Sequence, residues 1–216
     1  MNEILNYIQN NLLAIITAIA AIVALWQTHS QIKLSNKQFL FYERIDKLII
    51  FKSLYELYDS NVLDYSDIDK NSPIISDHMF ASLTNSEYLK DCGSLIIDVK
   101  NDDKRVNFLL KLEDMKKISY KIKYLFKGCI GKTMSEFIWS YQKVLLELYK
   151  YEIVNNNMQN DSISRNKKLS YKELQEQYKE LTYRKELYKS IDKINLLHKN
   201  LKNNKMLEQV EKVIKI

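Results

Sequence analysis

Leu12-Leu-Ala-Ile-Ile-Thr-Ala-Ile-Ala-Ala-Ile-Val-Ala-Leu-Trp26 is apolar at every position but Thr17. It lies inside a longer window, Ile4 to Ile32, that holds no Asp, Glu, Lys or Arg. As a helix, the apolar core spans about 22 Å at 1.5 Å per residue. A bilayer core asks for about 20 residues. The flanks supply the difference: Tyr7 and Ile8 extend the run upstream, and Trp26 suits the aromatic belt at the membrane–water interface. Residues 1–28 therefore read as a transmembrane anchor.

Three rival readings explain less. A cleaved signal peptide calls for a positive region before the apolar core, where Glu3 is the only charged side chain. Ala18-Ile19-Ala20 does have the small-residue spacing of a cleavage site. A core helix of a soluble protein fits the short apolar run but not the long charge-free window. A helix lying flat in the interface needs a strongly charged face, and this one has none.

The charges around the window set an orientation. No Lys or Arg precedes it, and Lys33, Lys37, Arg44 and Lys47 follow. By the positive-inside rule the N-terminus faces out and the rest of the chain is cytoplasmic. One face of the window is small: Ala14 and Ala18, Thr17 and Ala21, and Ala20 and Ala24 are each four residues apart. Such spacing lets helices approach closely in lipid, which points to self-association, although alanine is also a common apolar filler.

Beyond the window, no Gly or Pro occurs before Pro73. Leu34, Phe41, Leu48 and Tyr55 recur every seven residues, the spacing of a coiled coil, with Ile45 and Ile49 alongside. Residues 29–60 therefore read as an amphipathic helical stalk continuous with the anchor. The whole chain of 216 residues holds only 3 Gly and 1 Pro. Turn-rich β folds and dinucleotide-binding folds need far more glycine, so the fold class is all-α, and residues 61–216 form a helical bundle.

Within that bundle the apolar positions Leu109, Leu112, Met115, Ile122 and Leu125 place a helix over 103–127. Met134 to Ile153 is a second, and Tyr171 to Leu201 a third and longer one. Met206 to Ile216 is a short closing helix. Capping boxes are expected at Thr84–Glu87, Thr133–Glu136 and Ser170–Glu173, and Ser72-Pro73 reads as a helix start. Asn61 to Ser72 reads as a turn, and residues 155–169, rich in Asn and Ser, as a polar loop.

The chemistry-bearing patterns are sparse. Gly131-Lys-Thr133 ends like a phosphate-binding loop, but Phe126 stands where that loop's first Gly belongs. Asp67-x-Asp69-x-Asn71 opens like a calcium loop, but Ser72 and His78 occupy the positions of its Gly and Glu. His29, His78 and His198 show no metal-ligand spacing, and Cys92 and Cys129 are not a disulfide framework in a chain of this size. No catalytic, cofactor or metal residue is assigned. His78, Cys92 and Cys129, or the acidic loop with Asp59, Asp64, Asp67 and Asp69, are the candidates for an enzyme reading, brought together by the fold.

What remains is positive charge, a formal net of +6. Lys167 to Ile216 alone holds 13 Lys and Arg against 7 Asp and Glu, with Lys189 and Lys193 on its long helix. Lys116, Lys117 and Lys121, interleaved with Tyr120 and Tyr124, make a second basic stretch. A solvated helix face is the default account. Docking on an anionic leaflet and contact with nucleic acid are the alternatives, and the second fits poorly with 29 Lys against 4 Arg.

The run Ala24-Leu-Trp-Gln-Thr-His-Ser-Gln-Ile-Lys-Leu-Ser-Asn-Lys-Gln-Phe-Leu-Phe41, a Gln- and Leu-containing stretch leading to Arg44, resembles the N-terminal segment of uncharacterised single-span bacterial membrane proteins. That resemblance covers about the first quarter of the chain and implies a bacterial, single-span protein of the inner membrane that faces the cytosol, with no stated activity. The expectation is a membrane-anchored, non-enzymatic helical interaction or effector module, of the layout found in phage defence or stress response. Its partners would be the bilayer, its own copies through anchor and stalk, and a cytosolic protein. The alternatives are an enzyme whose site is assembled only in the fold and a membrane-tethered nucleic-acid binder.

Overall fold

The computed structural model describes residues 2–66, 74–164 and 169–214. Every regular element among the described residues is a helix, so the fold is all-α. The chain divides into two compact units, Met1–Glu43 and Arg44–Ile216.

The first unit holds only part of one helix, α1 (Asn2–Ser66). From Leu12 to Leu40 every side chain on it is exposed. Its apolar core, Leu12 to Trp26, thus buries none of its side chains within this chain, where each fully buried Leu or Ile would be worth about 1.5–3 kcal/mol. Its hydroxyls are satisfied within the helix: Thr17 donates to the Leu13 carbonyl at 2.7 Å and Thr28 to the Ala24 carbonyl at 2.8 Å. In hydrocarbon that leaves neither group without a partner.

The second unit is built around α5 (Gly128–Ser164). Met134, Phe137, Ile138, Tyr141, Val144 and Leu145 are among its fully buried residues. They recur at three- and four-residue steps over more than one face, as a central helix requires. It packs most extensively against α7 (Glu180–Asn203) and α4 (Asp102–Leu125), and then against α2 (Ser76–Thr84). Shorter helices α3 (Lys90–Gly93), α6 (Tyr171–Gln177) and α8 (Met206–Ile214) complete the unit.

The remainder of α1 belongs to this core. Phe51, Leu54, Tyr55 and Tyr58 form one buried face. The Phe137 ring meets Phe51, Tyr55 and Tyr58 at centroid distances of 5.7, 5.8 and 5.9 Å. Arg44 Nε donates to the Leu125 carbonyl at 3.1 Å, which satisfies an acceptor left over in the last turn of α4. The compact unit thus begins at Arg44, so the second half of the expected 29–60 stalk is bundle. Of the seven-residue repeat Leu34 is exposed and Tyr55 buried; Ile49 on the neighbouring stripe is exposed, and the buried stripe runs 51, 54, 55, 58.

Several other expectations are corrected. Helix α1 continues to Ser66 across the expected turn at 61–72, whose remainder, with Asp67, Asp69, Asn71 and Ser72-Pro73, lies outside the described residues. The 155–169 loop is largely helix, since α5 runs to Ser164. Val154 and Met158 are buried with Leu174, and Leu169 and Tyr178 pack against them, so two apolar anchors outweigh a run of asparagines. On α4, Leu109 is exposed and Phe108 takes the core position.

The long C-terminal helix breaks at Lys179, which adopts a left-handed conformation with φ 54° between α6 and α7. That break delivers Glu180, 0 % exposed, to the core. Its carboxylate accepts from Tyr151 Oη at 2.6 Å and Gln175 Nε2 at 3.0 Å, and Arg184 Nε lies 3.3 Å away.

Of the three expected capping boxes only Ser170–Glu173 forms. Thr84 ends α2 with its hydroxyl on the Phe80 carbonyl, and Thr133 sits inside α5 with its hydroxyl on the Cys129 carbonyl. The turn before α5 is therefore shorter than expected. Gly128 carries it at φ 76°, and Gly131 lies so close to the Phe126 backbone that a Cβ would fall 1.8 Å from that carbonyl oxygen.

Candidate functional site

The sequence singles out two regions, the apolar face of α1 and the basic stretches. On α1, Ala14, Thr17, Ala18 and Ala21 are all exposed, as is Trp26, at 69 %. One helix among the described residues is long and apolar enough to cross a membrane, and none of its apolar window is buried. That excludes the core-helix reading within this chain.

The basic stretches converge. Lys116 on α4 lies over the Trp139 ring of α5, 5.2 Å from its centroid, and Tyr120 approaches the same ring at 6.5 Å. Lys117 pairs instead with Glu113 at 2.9 Å on the solvated face, and Lys121 is exposed. Trp139 is also a wall of a cleft between α5 and α7, of about 200 Å³. Helix α5 contributes Ser140 and Lys143 to it as well. Helix α7 contributes Glu186, Lys189, Ser190 and Lys193, four residues spaced to share one helix face.

The interior of the cleft is unusual in one respect. Ser140 is 2 % exposed, and among the described residues its Oγ is the one buried side-chain polar atom without a hydrogen-bond partner. Ser190, also buried, donates to the Glu186 carbonyl at 3.0 Å. A buried hydroxyl left unpaired costs about 1–3 kcal/mol, so it is a group that a ligand can satisfy. Lys189 and Lys193 were legible as basic residues, but Trp139, Ser140 and Lys143 were not singled out. The available signal was the three- and four-residue spacing that puts Ser140 and Trp139 on the same face as Lys143.

The residues of the enzyme reading have separate surroundings. His78 is exposed on α2, Cys92 is buried on α3, and Cys129 is exposed at the start of α5. Burial pushes the Cys92 thiol above its ordinary range, which keeps it protonated and a poor nucleophile. Among the described residues no three His, Cys, Asp or Glu side chains gather as metal ligands. The glycine of Gly131-Lys132-Thr133 answers to the Phe126 backbone, and Thr133 is bonded within α5, so the phosphate-loop pattern is accounted for by packing.

One further cluster joins α1 to α7 inside the second unit. His198 is 3 % exposed and stacks on Tyr55 at 5.2 Å, with its Nε2 2.7 Å from Asp59 Oδ1. Lys202 Nζ donates to the same oxygen at 2.9 Å, and this bond is the largest cause holding the Asp59 carboxyl below its ordinary range. Desolvation holds the His198 imidazole below its own, so at neutral pH the ring is neutral and Nε2–H donates to the carboxylate. Tyr58 Oη donates to Asn195 Oδ1 at 2.6 Å. This is a structural clamp between two helices, closed by groups far apart in sequence. Compared with protein-family models, with curated proteins and with solved structures, the chain matches none.

Proposed function

We propose that this protein is a single-span, membrane-anchored helical module that works by binding rather than by catalysis, with its bundle in the bacterial cytoplasm. The observation that carries the reading is the contrast along α1. From Leu12 to Leu40 the helix buries nothing, whereas from Phe51 the same helix is core. The apolar part needs lipid, and the second unit has its own hydrophobic core. Lys33, Lys37, Arg44 and Lys47 after the apolar window favour a cytoplasmic bundle. Phage defence and stress response are settings that use this layout, and the link to them is one of architecture alone.

The two cysteines supply the test. Cys129 is exposed on the bundle and Cys92 is buried. A membrane-impermeant maleimide applied to intact spheroplasts is expected to leave Cys129 unmodified and to label it after permeabilisation. Labelling of Cys129 before permeabilisation would reverse the orientation.

Self-association through the small face of the span belongs to the same reading. Close approach there needs Ala18 and Ala21 to stay small. Replacing both by Leu is expected to shift the chain in mild detergent toward the monomer. An unchanged oligomer size would remove the span as the interface.

A further inference from the structure

We propose that the cleft between α5 and α7 binds a phosphate monoester carried on a small hydroxylated group. Three lysines reach it, Lys143, Lys189 and Lys193, against one carboxylate, Glu186. On other parts of the bundle Lys117, Lys150 and Lys202 carry ion pairs, with Glu113, Glu147 and Asp59. The three cleft lysines have no such ion pair among the described residues. Like charges gathered without counter-charge repel one another, and an anion relieves that repulsion.

The kind of anion follows from the groups present. Lysine is a compact point charge and lacks the planar fork with which Arg selects a carboxylate. Two net positive charges match a phosphate dianion. The Ser140 hydroxyl, buried and unpaired, adds a directional donor on the α5 side. Glu186 repels a second anionic group but accepts from a hydroxyl, which favours a polyol phosphate over a diphosphate or a polyanion. A cleft of about 200 Å³ holds a group of that size and not a nucleic-acid strand. Trp139, fixed from the α4 side by Lys116, closes one wall.

The same chemistry occurs free, as glycerol 3-phosphate, and as the headgroup of lysophosphatidic acid, whose glycerol keeps one free hydroxyl. The chain has 2 Trp, at positions 26 and 139, so Trp26→Phe leaves Trp139 as the sole indole reporter. The full chain with that substitution would be titrated in neutral detergent with glycerol 3-phosphate, with glycerol as control. In a second arm it would be placed in phosphatidylcholine nanodiscs with and without lysophosphatidic acid.

The expected result is a saturable change in Trp139 emission. Lys189→Ala with Lys193→Ala should weaken it about tenfold or more, with helical circular dichroism unchanged. Ser140→Ala should weaken it too without lowering thermal stability, because Oγ has no partner in the fold to lose. A response to glycerol 3-phosphate identifies a soluble ligand, and a response to lysophosphatidic acid alone identifies the lipid headgroup. Silence in both arms, or a response that survives loss of both lysines, overturns the proposal.

Discussion

Gly131→Ala is expected to destabilise the bundle by about 3 kcal/mol, the upper range for forcing atoms into a filled site. A Cβ built on Gly131 falls 1.8 Å from the Phe126 carbonyl oxygen and 2.7 Å from its carbonyl carbon. Both are backbone atoms, so no side-chain rotation relieves the clash. Relief requires opening the turn between α4 and α5, the two helices that carry Lys116 and Trp139. Gly128→Ala is the internal comparison. Its φ of 76° disfavours a side chain, but nothing lies within 4 Å of the new Cβ. It should cost only about 1–2 kcal/mol, the ordinary penalty for left-handed backbone. Thermal melts of the full chain in detergent decide the matter. Equal melting points for the two variants would show that the close approach at Gly131 is not a constraint.

Glu180→Ala should cost about 3–5 kcal/mol, as removal of one partner from a buried ion pair does. The substitution takes the carboxylate away from Arg184, 5 % exposed, and removes the acceptor of both Tyr151 and Gln175. The carboxylate also raises the Tyr151 phenol above its ordinary range, second only to desolvation, so Tyr151 stays a donor at any physiological pH. Most of the penalty is the desolvated guanidinium rather than a strong native bond. Glu180→Leu combined with Arg184→Met should therefore be markedly more stable than Glu180→Ala alone. A double variant as unstable as the single one would assign the loss to the Lys179 turn instead of to charge.

The all-α class was legible because three glycines and one proline leave little else, and the charge-free window marked the apolar helix directly. The failures share a cause. At 155–169 the Asn-rich composition spoke for a loop, but Val154 and Met158 meet Leu174 from another helix, a contact no local window contains. At Lys179 a non-glycine residue takes a left-handed conformation because Glu180 is drawn to Tyr151, again a long-range pairing. The cleft was half legible: Lys189 and Lys193 stood out as charge, while nothing in the sequence marks Ser140 as unpaired. Its importance rests on lacking a partner, which only the packed structure reveals.

The central claim is that residues 1–28 hold this chain in a membrane while the bundle folds independently of them. Alkaline carbonate extraction of membranes from cells expressing the full chain tests it, with a chain lacking residues 1–28 in parallel. The account predicts that the full chain stays in the pellet with its N-terminal segment uncleaved by mass, and that the shortened chain is extracted and helical. Full-length chain released into the supernatant, or recovered with that segment removed, would contradict it.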